Sequence, residues 1–331
     1  MHDKFGRRLH YLRVSVTDRC NLRCRYCMPE TGVDFIPHEE ILTYDEIVRV
    51  VRIAAALGID RVRLTGGEPL VRKGVADLAA ELKRIDGIRY LGLTTNGMLL
   101  PPLAGALKRA GVDGVNVSVD TLDPARFRAI SGRDGLPEVL AGLESALSAG
   151  FPHVKVNCVL GPDSVPEDWL GVAGLADRYA IDVRFIEWMP MGGEAGTTGR
   201  LAEAERLLAE RFGRLKAVPV EGDGGPAVMY KMDGRAGRIG FIAAISHAFC
   251  DRCNRLRLTS TGDLKLCLFY DTGVALKRLL RGGASDDAIR AAIETAVTYK
   301  PEAHQGRLLD TDGNGDAPRL EQKRSMYKTG G

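Results

Sequence analysis

Between residues 11 and 187 the chain alternates short apolar runs with longer segments of helical period. The short runs cover residues 13–16, 61–65, 90–94, 115–119, 154–159 and 183–186. The first long segment opens with Thr43 and, three residues later, Glu46, which is the spacing of a capping box, and Gly58 marks its end. This alternation predicts six βα units and therefore a parallel sheet.

Each predicted strand has one apolar face and one polar face, because successive side chains point to opposite sides. The polar positions are Arg13, Ser15, Thr17, Arg61, Arg63, Thr65, Thr94, Asn96, Asn116, Ser118, Asp120, Lys155 and Asn157. A closed eight-stranded barrel fills its interior with branched apolar side chains. A polar, basic inner face instead predicts an incomplete six-unit barrel, open on one side, with a cavity for an anionic ligand. The alternative is a sheet with one face in water, which is rare for parallel sheets.

The pattern changes after residue 189. Residues 190–199 are rich in glycine and are typical of a linker. Beyond them we predict a helix at 200–211, strands at 228–231 and 238–243, a hairpin turning at 260–263, and helices near 273–281 and 286–299. The predicted organisation is an α/β partial barrel over residues 1–189 and a smaller α+β domain over residues 190–331.

Composition and charge exclude several classes of function. The chain has 331 residues, of which 45% are hydrophobic, and a net charge of only +3. Acids and bases are interspersed, so we expect no nucleic-acid partner. No apolar run approaches the roughly 18 residues of a membrane span, and the amino terminus lacks the apolar core of a signal peptide. We expect a cytoplasmic protein with no membrane contact, whose seven cysteines act as ligands rather than in disulfides.

Three cysteines stand in the spacing Cys20-x3-Cys24-x2-Cys27. An iron–sulfur cube is normally held by four thiolates, so a cube on three would leave one iron open to another ligand. The alternative is a zinc site completed by a fourth ligand. His38 is the nearest downstream candidate, and it is poorly placed.

A second set consists of Cys250, Cys253 and Cys267, and the predicted hairpin returns Cys267 toward the other two. His247 could complete a zinc site here. Arg255 and Arg257 share one strand face beside the open metal position, and guanidinium groups match phosphate oxygens. The alternative for this pair is an exposed strand edge that bears charges. Cys158 lies on an apolar strand face and is predicted to be a buried structural thiol.

Two further motifs differ in how strongly they indicate a function. Residues 310–321 satisfy the EF-hand loop pattern, but no apolar-periodic helices flank them and Pro318 lies inside, so we interpret them as a solvated acidic turn. The run Gly66-Gly67-Glu68-Pro69 follows the second predicted strand. Because active sites gather at the carboxyl ends of barrel strands, this run is a candidate for function.

The first cysteine set together with Gly66-Gly67-Glu68-Pro69 resembles the radical S-adenosylmethionine enzymes. The runs at residues 13–20, 64–70 and 250–257, with the terminal Gly330-Gly331, narrow the resemblance to the GTP 3′,8-cyclases of molybdenum cofactor biosynthesis. The resemblance spans nearly the whole chain. It implies conversion of GTP to (8S)-3′,8-cyclo-7,8-dihydroguanosine 5′-triphosphate, the first step toward molybdopterin.

The resemblance also implies roles for individual residues. Two [4Fe-4S] clusters would be held by Cys20, Cys24 and Cys27 and by Cys250, Cys253 and Cys267, and guanine would bind the open iron of the second. The S-adenosylmethionine site would comprise Tyr26, Gly66, Gly67, Glu68, Ser118 and Met189. GTP would contact Arg13, Arg63, Thr94, Lys155, Arg255, Leu256 and Arg257. The tail residues Gly330 and Gly331 would reach the active site, although Thr329 stands where the family tends to have an aliphatic residue.

The implied reaction begins when a 5′-deoxyadenosyl radical abstracts hydrogen from ribose C3′, after which the C3′ radical attacks guanine C8. The implied partners are an external one-electron donor, a downstream pyranopterin-forming protein and a second copy of the chain in a homodimer.

Two alternative functions remain open. One is a radical S-adenosylmethionine enzyme that modifies a peptide and has an auxiliary cluster. The other is a zinc-stabilised nucleotide-binding protein without redox chemistry.

Overall fold

The computed structural model describes residues 1–28, 34–189, 199–219 and 225–304. The strands are β1 Tyr11–Ser15, β2 Arg61–Thr65, β3 Tyr90–Thr95, β4 Gly114–Ser118, β5 His153–Leu160, β6 Asp182–Glu187, β7 Lys216–Val218, β8 Val228–Lys231, β9 Arg238–Ile242, β10 Arg255–Leu258, β11 Asp263–Lys265 and β12 Gly273–Ala275. The α-helices are α1 Tyr44–Ala56, α2 Val75–Lys83, α3 Leu100–Arg109, α4 Pro124–Ser131, α5 Leu136–Ser148, α6 Pro166–Ala173, α7 Leu175–Arg178, α8 Arg200–Phe212, α9 Leu276–Arg281 and α10 Asp286–Val297. Short 3-10 helices cover His38–Glu40, Pro69–Val71 and Cys250–Arg252.

The six predicted strands β1 to β6 lie side by side in sequence order and are all parallel. The predicted α/β fold with an open parallel sheet is therefore confirmed. The capping box is present as well, since Glu46 N donates to Thr43 Oγ1 at 3.1 Å and Thr43 N donates to Glu46 Oε2 at 2.7 Å. The apolar strand faces form the main core beneath the helices, and Cys158 is fully buried there, as predicted.

The later strands extend both edges of the same sheet, in the order β12-β11-β10-β1-β2-β3-β4-β5-β6-β9-β8-β7. β10 is parallel to β1, and β9 is parallel to β6. The predicted hairpin at 260–263 joins β10 and β11. Sequence patterns did not predict these edge positions. Pairing there satisfies the backbone groups that an open sheet would otherwise leave exposed at each edge.

One predicted helix was wrong at its start. Residues 273–281 were predicted to be helical throughout, but Gly273–Ala275 pairs with β11 as strand β12 and the helix begins at Leu276. The tertiary partner decides the conformation of this short segment, because a three-residue strand has little periodicity of its own.

Among the described residues, no helix is both long and apolar enough to cross a membrane. The acidic turn at 310–321, the tail residues Gly330 and Gly331, and all of the predicted linker except Gly199 lie outside the described residues.

Candidate functional site

The polar face of the sheet lines a cavity of about 650 Å³, a size typical of small-molecule sites. All six cysteines of the two predicted sets line this one cavity. The other predicted site residues on its wall are Arg13, Tyr26, Arg63, Gly66, Gly67, Glu68, Thr94, Ser118, Lys155, Met189, Arg255 and Arg257. The fold thus brings together groups as distant in sequence as Arg13 and Cys267.

Leu256 is the exception among the described candidates, because it does not line the cavity. Its side chain is 1% exposed and packs in the main core, where the residue pairs in register with Leu12. Alternation explains this, since Arg255 and Arg257 face the cavity and the residue between them must face the helices.

The first cysteine set lies in the loop after β1. Cys27 N and Met28 N both donate to Cys24 O, at 2.9 and 3.0 Å, which forms a tight turn, and Leu22 N donates to Cys20 Sγ at 3.3 Å. Burial and the neighbouring Cys20 raise the pKa of Cys27 to about 12. Burial, with Cys27 next in importance, also raises the pKa of Cys24. Three half-buried thiols that repel one another as anions are stable as thiolates only with a compensating cation, as an iron–sulfur cluster supplies.

The Gly66-Gly67 run packs against the backbone just before this set. Gly67 N donates to Thr17 O at 2.7 Å, and Glu68 N donates to Arg19 O at 2.8 Å. A Cβ atom at position 67 would lie 2.4 Å from Arg19 O, and Gly66 has a φ of 156°. Glycine is required here because any side chain would separate the loop from the cysteine segment.

The Glu68 carboxylate anchors this loop to β3. It accepts hydrogen bonds from Thr95 Oγ1 at 2.7 Å, from Asn96 N at 2.7 Å and from Leu70 N at 3.0 Å. Burial raises its pKa to about 7, although these donors favour the carboxylate and act in the opposite direction. Asn96 Nδ2 in turn donates to Asn21 Oδ1 at 2.7 Å, which ties the end of β3 to the residue after Cys20.

Tyr26 is held in place by a partner that the sequence did not single out as a site residue. Its hydroxyl donates to Asp120 Oδ2 at 2.7 Å, and its ring meets the Trp188 ring edge-on, with centroids 6.0 Å apart. Asp120 also accepts from Val159 N at 2.8 Å. The ring of Tyr26 is therefore fixed beside the first cysteine set.

The second cysteine set stands before β10 and after β11, whereas the first set follows β1, which is parallel to β10. Burial raises the pKa of Cys250, and the thiols of Cys267 and Cys253 add to this effect. For Cys253, burial raises the pKa, but Lys300 and Arg255 outweigh it and the net pKa is lowered.

The histidines proposed for zinc do not reach these cysteines. His38 and His247 are both exposed, and neither lines the cavity. In the part of the chain that the structure describes, no three His, Cys, Asp or Glu side chains converge closely enough to hold a single metal ion. A cube, which spreads its thiolates over separate corners, fits the two cysteine sets better than a single zinc ion.

A row of arginines crosses three strands of the cavity floor. Arg257 on β10 pairs in register with Arg13 on β1, which pairs with Arg63 on β2. Next to Arg63 stands Gly92, where a Cβ atom would lie 2.7 Å from the guanidinium carbon. Burial, with Arg255 next in importance, lowers the pKa of Arg257 to about 10. Such crowding of buried cations favours an anionic ligand with several charges.

Arg184 on β6 was missed by sequence reasoning. It lines the cavity, and its Nε and Nη2 donate to Asn157 Oδ1 at 3.0 and 2.7 Å. Burial, with Arg63 next, lowers its pKa to about 10. Arg184 lies between the buried residues Val183 and Phe185, and this alternation along β6 was the sequence signal that could have placed it on the cavity face. The predicted Lys155 forms an ion pair with Asp182 at 3.1 Å.

Comparison with known proteins agrees with this geometry. The Radical SAM superfamily model matches residues 14–176, and the Molybdenum Cofactor Synthesis C model matches residues 181–306. A GTP 3′,8-cyclase of Heliobacterium modesticaldum is 47% identical over 324 residues, covering 97% of this chain and 98% of that protein. Molybdenum cofactor biosynthesis protein 1 of Homo sapiens is 42% identical over 307 residues, covering 92% of this chain and 48% of that protein.

The fold is also similar to that of a solved structure, Streptococcus suis SuiB bound to S-adenosylmethionine. The TM-score is 0.58 over 86% of this chain and 68% of that chain, with 15% sequence identity. At this identity the likeness shows the fold alone.

Proposed function

Because the chain belongs to the GTP 3′,8-cyclase family of radical S-adenosylmethionine enzymes, we propose that it converts GTP to (8S)-3′,8-cyclo-7,8-dihydroguanosine 5′-triphosphate, the first step of molybdenum cofactor biosynthesis. The observation that carries the proposal is a single cavity lined by both cysteine sets and by the arginine row. A cavity of this kind can hold a redox-active cofactor and a polyphosphate nucleotide side by side.

Cys20, Cys24 and Cys27 would hold the first [4Fe-4S] cluster, and three half-buried thiols on one cavity wall fit such a group. When bound and reduced, this cluster supplies the electron that cleaves S-adenosylmethionine to a 5′-deoxyadenosyl radical. The Gly66-Gly67 backbone, Glu68, Tyr26, Ser118 and Met189 would position S-adenosylmethionine beside it. This assignment is supported by the presence of all these residues on the cavity wall.

Cys250, Cys253 and Cys267 would hold a second [4Fe-4S] cluster, at which the guanine base would bind. Arg13, Arg63, Thr94, Lys155, Arg255 and Arg257 would hold the rest of GTP, and we add Arg184 to this group. Thr94 supports the assignment, because its buried Oγ1 has no hydrogen-bond partner among the described residues. The main work of these side chains is to place ribose C3′ near the adenosyl carbon and to exclude water.

The paired arginines of β10 offer a direct test of substrate binding. Replacing both Arg255 and Arg257 with alanine is expected to weaken GTP binding at least about tenfold, because a hydrogen bond to a charged group is worth about 1.5–3 kcal/mol. Iron content should stay unchanged. Binding would be measured by anaerobic equilibrium dialysis of labelled GTP. Arg128→Ala is the control, since the Arg128 side chain is 70% exposed and pairs with Asp134 at 3.3 Å. Unchanged GTP affinity in the double variant would contradict the assignment of Arg255 and Arg257 to phosphate binding.

The proposed reaction is tested by anaerobic turnover of the reconstituted, reduced protein with GTP deuterated at C3′. Deuterium in 5′-deoxyadenosine is the expected result, because the hydrogen must come from the ribose. Formation of 5′-deoxyadenosine without deuterium would contradict GTP as substrate and favour a peptide-modifying enzyme. A protein that holds zinc and cleaves no S-adenosylmethionine would support the nucleotide-binding alternative.

Several further expectations stay proposals. They are a division of the chain at residue 189, an external one-electron donor, a downstream pyranopterin-forming protein, a homodimer, and entry of Gly330 and Gly331 into the active site. The tail proposal is supported by the position of His304, which lines the cavity at the end of the described residues.

A further inference from the structure

A buried lysine lies behind the second cysteine set. The residue is Lys300, just after α10, and it is 2% exposed. Its Nζ donates to Arg255 O at 3.0 Å and to Leu266 O. No carboxylate of the described residues forms an ion pair with it. A buried ammonium group without an anionic partner is costly, so its place in the fold calls for a reason.

The two carbonyl groups that Lys300 contacts belong to the segments that carry the cysteines. Arg255 is two residues after Cys253, and Leu266 directly precedes Cys267. One side chain thus links the start of β10 to the end of the hairpin. The segments of Cys253 and Cys267 are therefore bridged by the same ammonium group.

The charge of Lys300 lies at the same site. Lys300 lines the cavity wall together with Cys250, Cys253 and Cys267. Arg7, whose Nη1 donates to Cys250 O at 2.7 Å, is balanced by Asp3 at 2.6 Å. The described residues give Lys300 no such partner, so the thiolates of a bound cluster would be the anions that balance it.

Lys265 shows what a structurally paired lysine looks like in this part of the fold. Its side chain is also 2% exposed, but its Nζ forms an ion pair with Asp271 Oδ1 at 2.9 Å. Two lysines of equal burial, both near the hairpin, therefore differ in their counter-ion.

We propose that Lys300 is a positioning residue of the second cluster site, which joins the segments of Cys253 and Cys267 and compensates the negative charge of the thiolate-bound cluster. The inference rests on the proposed second cluster. Three thiolates outweigh the positive charge of an oxidised cube, and reduction adds one more negative charge. A fixed cation beside the cluster stabilises its reduced form and raises its reduction potential.

The test uses the full chain, reconstituted anaerobically, with iron content and the midpoint potentials of both clusters measured by EPR-monitored redox titration. Cys267→Ala identifies the signal of the second cluster. In Lys300→Met we expect either a loss of iron toward about half, because the second cube is no longer held, or a second cluster with a more negative midpoint. The first cluster should be unaffected.

Two further variants separate charge from packing. Lys300→Gln keeps an N–H donor but loses the charge, so it should retain the second cluster with a more negative midpoint. If Lys300→Met fails to fold, the test is made with Lys300→Gln alone. The matched control is Lys265→Met with Asp271→Asn, which removes a buried lysine and its partner without changing the net charge. Its iron content and potentials should equal those of the wild type.

Three results would overturn the inference. Wild-type iron content and midpoint in both Lys300 variants would show that the residue serves neither purpose. Equal shifts of the second cluster's midpoint in the Lys300 variants and in the Lys265 control would show that the effect arises from packing in general. A wild-type protein that binds only one cluster would contradict the proposed second cluster site. This outcome is therefore distinguishable from failure of the proposed role of Lys300 alone.

Discussion

Replacing Cys24 with alanine is expected to abolish cleavage of S-adenosylmethionine and to lower the iron content of the reconstituted protein by about half. Cys24 lies between the other two thiols of its set, and its carbonyl accepts the turn bonds from Cys27 N and Met28 N. The variant keeps this backbone turn and removes only the thiolate. Two remaining thiolates cannot retain the first cube, while the second cysteine set keeps its own. Iron analysis, EPR of the reduced protein and chromatography of 5′-deoxyadenosine would measure the three consequences.

The matched control is Cys158→Ala. Cys158 is also a free cysteine, but it is fully buried on the apolar face of β5 and does not line the cavity. We expect this variant to retain full iron content and cleavage activity, with a modest loss of stability from lost packing. Full iron content in Cys24→Ala would contradict the assignment of the first set as a cluster site.

Replacing Gly67 with alanine should have the second large effect. The added Cβ atom would lie 2.4 Å from Arg19 O and 2.7 Å from Asp18 O, which are backbone atoms that cannot turn aside. The loop must then move away from the cysteine segment, and the hydrogen bonds from Gly67 N to Thr17 O and from Glu68 N to Arg19 O would break. We expect a loss of about 1–3 kcal/mol or more in the free energy of unfolding, together with loss of S-adenosylmethionine binding. Anaerobic thermal unfolding and calorimetric titration would measure these two effects.

Gly161→Ala is the control for this substitution. Gly161 follows β5, and no heavy atom lies within 4 Å of the position that its Cβ would occupy. The thermal midpoint and the affinity for S-adenosylmethionine should stay close to wild type, since the added Cβ atom would meet no neighbouring atom. Wild-type behaviour of both glycine variants would show that the close approach at Gly67 does not hold the site together.

Sequence reasoning succeeded where the signal is local. The alternation of apolar and polar residues located the strands β1 to β6 and separated the core face from the cavity face, because a strand period of two residues is encoded in each strand by itself. The spacing of the cysteines marked two sets with an open position, and a two-residue offset placed Arg255 and Arg257 on one face. The capping box at Thr43 and Glu46 likewise depends on neighbours in sequence.

The sequence by itself therefore determined the parallel sheet, its polar inner face and the two cysteine sets. Only the tertiary structure decided that β10 and β9 complete opposite edges of the sheet, which brings Arg257 beside Arg13 in one row. It also decided the partnership of Tyr26 with Asp120 and the hydrogen bonds that join Lys300 to the segments of Cys253 and Cys267. These features join residues about 34 to 244 positions apart, and no local period records which distant segments will pair. Strand pairing and burial select such partners when the sheet edges and the buried charges are satisfied.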